Sequence, residues 1–200
     1  MKSESIVIST NEGNIDKVLE VVEAFSKDLD HKAALRIRLL AEETMNLIRS
    51  ITGEMDAEFF LERDDKEVRI HLNTNTIMFA QKRKELMEIS TSKENAAAKG
   101  FIGKIREVFE LAMLPKDERS ARESRIGMMG LVDPTALSAT SAQTWKMSNY
   151  INSVETMDES SEFAQEARNE LERSILGNIA KEVEISIIGD DVKMTILYEL

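Results

Sequence analysis

The sequence predicts an α/β domain in two layers, a mostly antiparallel sheet of about five strands with helices on one face. Three observations predict it. Apolar–polar alternation with a period of two recurs at Ile6 and Ile8, at Ala57, Phe59 and Leu61, at Val68, Ile70 and Leu72, and again across 183–198. The links within two of these pairs are too short for a crossover helix, so the strands pair as antiparallel hairpins. The other apolar residues follow the helical period, which places helices on the buried side of the sheet and leaves its other face to water or a partner.

In chain order, the strand around Ile6 and Ile8 leads to Asn11 and Asn14, either of which can cap a helix running to about residue 28. Asp30 can cap a longer helix over 32–52. The charged turn Asp64-Asp65-Lys66 joins the next two strands. Further helices are predicted at about 77–90, 94–114, 143–156 and 160–179. The stretch 115–144 opens with Lys116-Asp117-Glu118-Arg119, carries Gly127 and Gly130, and turns small and polar from Thr135, the composition of a lid on one domain spanning 1–200. Val183, Ile185 and Ile187, the turn Gly189-Asp190-Asp191, and Val192, Met194, Ile196 and Tyr198 form a closing hairpin.

Two hundred residues suffice to bury a core. With no Cys and only His31 and His71, disulfides, thiolate metal sites and imidazole-rich sites are excluded, and chemistry falls to carboxylates, amides, hydroxyls and cations. A formal net charge of −11 repels phosphate backbones and anionic lipid, so neither nucleic acid nor membrane is an expected partner. The N-terminal residues lack a signal-peptide pattern, and no window reaches the roughly 18 apolar residues of a membrane span; a cytoplasmic location is the expectation.

On the helix over 33–51, Ala33, Ile37, Leu40, Thr44, Leu47, Ile48 and Ile51 form a broad stripe that faces the sheet. Leu35, Leu39, Glu42 and Asn46 fall on the opposite face, so a carboxylate and an amide one turn apart share a wall with two leucines. A pocket roofed by the lid or by the helix near 94–114 would cover those leucines. The plain alternative is that Glu42 and Asn46 are solvated surface residues.

The order strand, helix, long helix bearing Glu42-Glu43-Thr44-Met45-Asn46, then hairpin resembles the histidine-kinase-like ATPases (the GHKL group, with the Bergerat fold), and among them the small anti-sigma-factor serine kinases. The resemblance covers roughly 5–76 in order and register, and 160–200 as a helix followed by a closing hairpin. It implies ATP and Mg²⁺ as cofactors, Asn46 as the magnesium ligand and Glu42 as general base. It further implies an intracellular regulator that transfers the γ-phosphate to a Ser or Thr of a protein partner, a regulator or sigma-like factor, and that pairs as a homodimer. Magnesium prefers hard oxygen donors and keeps several waters, so one amide oxygen suffices beside phosphate.

Where the family has an Asp-x-Gly-x-Gly turn that recognises adenine, this chain reads Leu72-Asn73-Thr74-Asn75-Thr76. Thr74 takes the inward position by strand parity, while a bulge would present the amide of Asn73 or Asn75. For the second glycine-rich element the candidates are Gly100-Phe-Ile-Gly103-Lys104, where a helix start could offer N–H groups to phosphate, and Gly127-Met-Met-Gly130, which reads better as turns. The spacing Lys99-Gly100-x-x-Gly103-Lys104 is not a P-loop. Two other readings stay open: a degenerate member without nucleotide binding that acts as a protein-interaction module, and an unrelated α/β interaction domain.

Among the remaining features, Arg119, Arg122 and Arg125 read as ion pairs with nearby carboxylates, and Met128 and Met129 as a plug on the core. Trp145 and Tyr150 read as core anchors, and the two histidines receive no catalytic role.

Overall fold

A computed structural model of the protein describes residues 1–9, 15–52, 56–75, 100–112, 142–158, 162–188 and 191–200. Its elements run β1 (Ile6–Ser9), α1 (Ile15–Phe25), α2 (His31–Thr52), β2 (Asp56–Arg63), β3 (Glu67–Asn75), α3 (Gly100–Ala112), β4 (Ala142–Lys146), α4 (Met147–Glu155), α5 (Glu162–Arg173), α6 (Ile175–Ile179), β5 (Glu182–Ile188) and β6 (Asp191–Glu199). The fold class is the α/β arrangement that the sequence predicts. The sheet is open and antiparallel, in the order β1-β2-β3-β6-β5-β4. Among the described residues no helix is long and apolar enough to cross a membrane.

The chain divides into two compact units, one comprising 1–74, 173–184 and 193–200, the other 75–172 and 185–192. In the first, β1 and β2 pair with Ile6 opposite Phe59 and Ile8 opposite Ala57. Across the hairpin, Phe59 faces Leu72 and Leu61 faces Ile70. That register puts Ile8, Ala57, Phe59, Leu61, Val68, Ile70 and Leu72 on one buried face. Each such side chain withdrawn from water contributes about 1.5–3 kcal/mol before the entropy of ordering it is counted. The turn is held by Asp64, whose Oδ1 accepts from the N–H groups of Lys66 (2.9 Å) and Glu67 (3.1 Å). The closing strand lies along β3, where Leu200 N–H donates to Lys66 O (2.8 Å) and Thr195 Oγ1 meets His71 Nδ1 (3.2 Å).

Asp30 caps α2 as its position predicts, accepting from the N–H groups of Lys32 (2.9 Å) and Ala33 (3.1 Å). The buried stripe is wider than periodicity alone indicates, since Ala41 and Met45 join Ala33, Ile37, Leu40, Thr44, Leu47 and Ile48. Thr44 tolerates this burial because its hydroxyl donates to Leu40 O at 2.6 Å. The first helix ends at Phe25, short of the predicted residue 28.

Two predicted helices need correction. The segment expected as one helix over 160–179 breaks at Ser174, whose backbone is extended (φ −77°, ψ 130°) and whose Oγ accepts from Gly177 N–H to start α6. The segment expected as a helix over 143–156 begins as β4, with α4 starting only at Met147. Thr144 and Trp145 suit a half-buried strand: Trp145 is buried, while Thr144 reaches Ser186 across the sheet at 3.1 Å. A sixth strand thereby joins the five expected.

In the second unit, the rings of Phe101, Trp145 and Tyr150 pack with centroids 6.1–6.4 Å apart in tilted geometry. Trp145 and Tyr150 are core residues, as the sequence indicates. The helix expected at 77–90 and the lid up to residue 141, with Gly127, Gly130, Met128, Met129 and the three arginines, lie outside the described residues.

Candidate functional site

The outward face of α2 is built by what its inner face buries. With the core stripe fixed against the rest of the first unit, Leu35, Leu39, Glu42 and Asn46 turn away from it. Leu35 is 48 % exposed, Leu39 and Glu42 are half-buried, and Asn46 is exposed. The Asn46 side chain is exposed and makes no hydrogen bond to any described residue, so its amide is available to a ligand. The Glu42 carboxylate is held by Arg38, one turn earlier, at 3.2 Å, and Arg38 also pairs with Glu23 on α1. The sequence carries a signal for the first of these contacts, an Arg and a Glu four apart on a helix; the contact with Glu23 arises from the packing of α1 on α2.

The candidate adenine contacts fall in β3 itself, which runs to Asn75 without a glycine turn. Asn73 Nδ2 donates to Glu58 Oε2 at 3.2 Å, and Ser5 Oγ donates to Glu58 Oε1 at 2.6 Å. Those bonds, Ser5 first, hold the Glu58 carboxyl below its ordinary range. Thr74 is buried, as its parity predicts, and its hydroxyl donates to Asp56 O at 2.8 Å. These two candidates share β3 in the first unit with each other, while Glu42 and Asn46 share α2.

The other candidates belong to the second unit. Asn75 Nδ2 donates to Asp191 Oδ1 at 2.8 Å. Gly100 and Gly103 lie in the first turn of α3, and Lys104 opens the second. The N–H of Ile102 in that turn already donates to Glu170 Oε1 at 2.9 Å. A carboxylate from α5 thus meets the helix start where a phosphate was expected. The same Glu170, after burial itself, raises the Tyr150 phenol well above its ordinary pKa. No local sequence pattern announces Glu170, which is 68 residues from its partner.

A network that the sequence reading left out covers the open face of the sheet. The His71 ring stacks on Phe60 (centroids 4.6 Å apart, 19° between planes), and the Lys2 ammonium lies 3.9 Å from the Phe60 centroid. Glu62 lies 3.4 Å from Lys2 Nζ and 3.4 Å from His71 Nε2. The second contact falls short of a hydrogen bond, leaving Nε2 buried and unpaired among the described residues. Burial pulls the His71 pKa below its ordinary value against the opposing pull of Glu62.

Within the described residues no three His, Cys, Asp or Glu side chains converge as a metal cage. A magnesium held through phosphate and one amide oxygen needs no such cage. No protein-family model and no curated protein matches the chain.

Proposed function

We propose that the chain is a cytoplasmic regulatory protein of the histidine-kinase-like ATPase type, using the outward face of α2 to bind Mg²⁺ and ATP and acting on a Ser or Thr of a protein partner, a regulator or sigma-like factor. The observation that supports this reading is the exposed, unbonded amide of Asn46 one turn beyond the carboxylate of Glu42. The Asn46 oxygen suits magnesium, which when bound neutralises charge on the phosphates during transfer. Glu42 would accept the proton of the attacking hydroxyl, and Arg38 fixes the direction of its carboxylate along the helix. Leu35 and Leu39 offer an apolar wall beside these groups.

A second reading, a protein-interaction module of related fold that no longer binds nucleotide, draws on a separate observation. Asn73, Thr74, Asn75 and the Ile102 N–H all spend their hydrogen bonds on protein partners. A nucleotide would have to displace those partners.

A thermal-shift titration with ATP or ADP, with and without Mg²⁺, separates the two, because a ligand specific for the folded state raises apparent stability by mass action. The first reading expects a saturable, magnesium-dependent rise that Asn46→Ala abolishes, and a Glu42→Ala protein that binds ATP without hydrolysing or transferring it. No rise at millimolar nucleotide selects the interaction module.

A further inference from the structure

On the open face of the sheet in the first unit, one ring and one carboxylate each serve two neighbours. Phe60 stands directly opposite His71 and stacks on it, while the Lys2 ammonium lies 3.9 Å from the Phe60 centroid. Glu62 lies 3.4 Å from Lys2 Nζ and 3.4 Å from His71 Nε2. Of the charges around them, Arg69, opposite Glu62 on β3, is held by Asp64 at 3.2 Å and by Glu67, and Glu58 accepts from Ser5 and Asn73. On β6, Thr195 Oγ1 meets His71 Nδ1, with Lys193 two positions earlier on the same face. Lys2 itself belongs to a short segment laid along β2, where Ser3 N–H donates to Leu61 O and Arg63 N–H to Met1 O, each at 2.8 Å.

This arrangement suits a neutral imidazole and not a charged one. A neutral ring stacks on Phe60 without penalty beside an ammonium, whereas an imidazolium sets a second cation on the same ring and turns Nε2 into a donor that needs an acceptor. Glu62 is the carboxylate beside that nitrogen, and Lys2 already uses it. We propose that His71 is a proton-operated latch for the segment Met1–Ser3: when the ring takes up a proton, Glu62 closes onto Nε2 and Lys2 leaves both Glu62 and Phe60. Exposure decides which cation leaves. The Lys2 side chain is 55 % exposed and regains its water, while that of His71 is 17 % exposed and has only Glu62 to turn to. Asp64, Glu67 and Glu58 are engaged elsewhere, and Arg69 and Lys193 add to the positive charge that drives Lys2 away. The pairing of β2 with β3 does not involve Lys2, so the release loosens the segment and bares the Phe60 ring without opening the sheet. Nothing in this device depends on nucleotide binding.

The test is an NMR titration of the full chain from pH 7.5 to pH 5 in nucleotide-free buffer. With the latch closed, the ring current of Phe60 shifts the Lys2 side-chain methylene signals upfield. In wild type that shift is expected to collapse to the value of a solvated lysine, and the heteronuclear NOE of the Lys2 and Ser3 amides to fall, both with the midpoint at which the His71 ring signals titrate. His71→Gln should hold both readings to the end of the titration. Lys2→Met removes the competing cation and should raise the His71 midpoint, since two groups that disfavour each other do so reciprocally. Unchanged β2 and β3 amide signals in each variant check that the sheet is intact, and the wild-type titration stands without either variant. A Lys2 shift that stays constant while His71 titrates, a loss that persists in His71→Gln, or a His71 ring that remains neutral down to pH 5 would each overturn the proposal.

Discussion

His71 shows at the scale of one residue how the fold sets a pH response. Its ring is stacked on Phe60, with Glu62 and Thr195 beside its two nitrogens and Lys2 and Arg69 adding positive charge nearby. Burial dominates, so the folded chain takes up a proton at His71 only below the ordinary value of about 6.5 at which the unfolded chain does. The stabilisation is fully present above that value and is lost as pH falls through the window beneath it. Urea midpoints at pH 7.5 and 5.5 should thus fall for wild type and fall less for His71→Gln; equal slopes would mean that the imidazole is solvated. The carboxylates act in a separate window. Arg63 holds Asp28 low, Ser5 holds Glu58 low, and the Lys66 N–H holds Asp64 low, so their contributions are present at neutral pH and are lost as pH falls through the ordinary carboxylate range, about 4–4.5, and below. Burial also ranks substitutions. Phe59→Ala, at a fully buried position opposite Leu72, should cost about 3–5 kcal/mol in chemical denaturation, whereas Asn46→Ala should stay within about 0.5 kcal/mol.

At the scale of the element, the break at Ser174 makes a direct prediction. Its hydroxyl caps α6 through Gly177 N–H at 3.3 Å, so Ser174→Ala should lower stability by about 1 kcal/mol without altering the sheet, measured as a shift in denaturant midpoint at constant slope. That cap was invisible to a periodicity reading, because the apolar pattern continues through Leu171, Ile175 and Leu176 and says nothing of one extended residue between them. The hairpins were legible for the opposite reason: a period of two over two strands, with a charged Asp64 turn between, leaves one register that buries Phe59, Leu61, Ile70 and Leu72 together. The five-residue β4 escaped notice because its inward signal rests on Trp145, which a helix would bury as readily.

At the scale of the whole molecule, the candidate site was legible only where one element carries it. The Glu42 and Asn46 pair follows from helical spacing, but the bonds of Asn73 to Glu58 and of Ile102 to Glu170 come from contacts distant in sequence, which no local pattern encodes. Because one element carries Glu42 and Asn46, the proposed nucleotide site makes a prediction that separates binding from chemistry. Asn46→Ala should lose the magnesium-dependent thermal shift, while Glu42→Ala should keep a saturable shift and lose hydrolysis or transfer; a shift that survives Asn46→Ala unchanged would remove the magnesium role from α2.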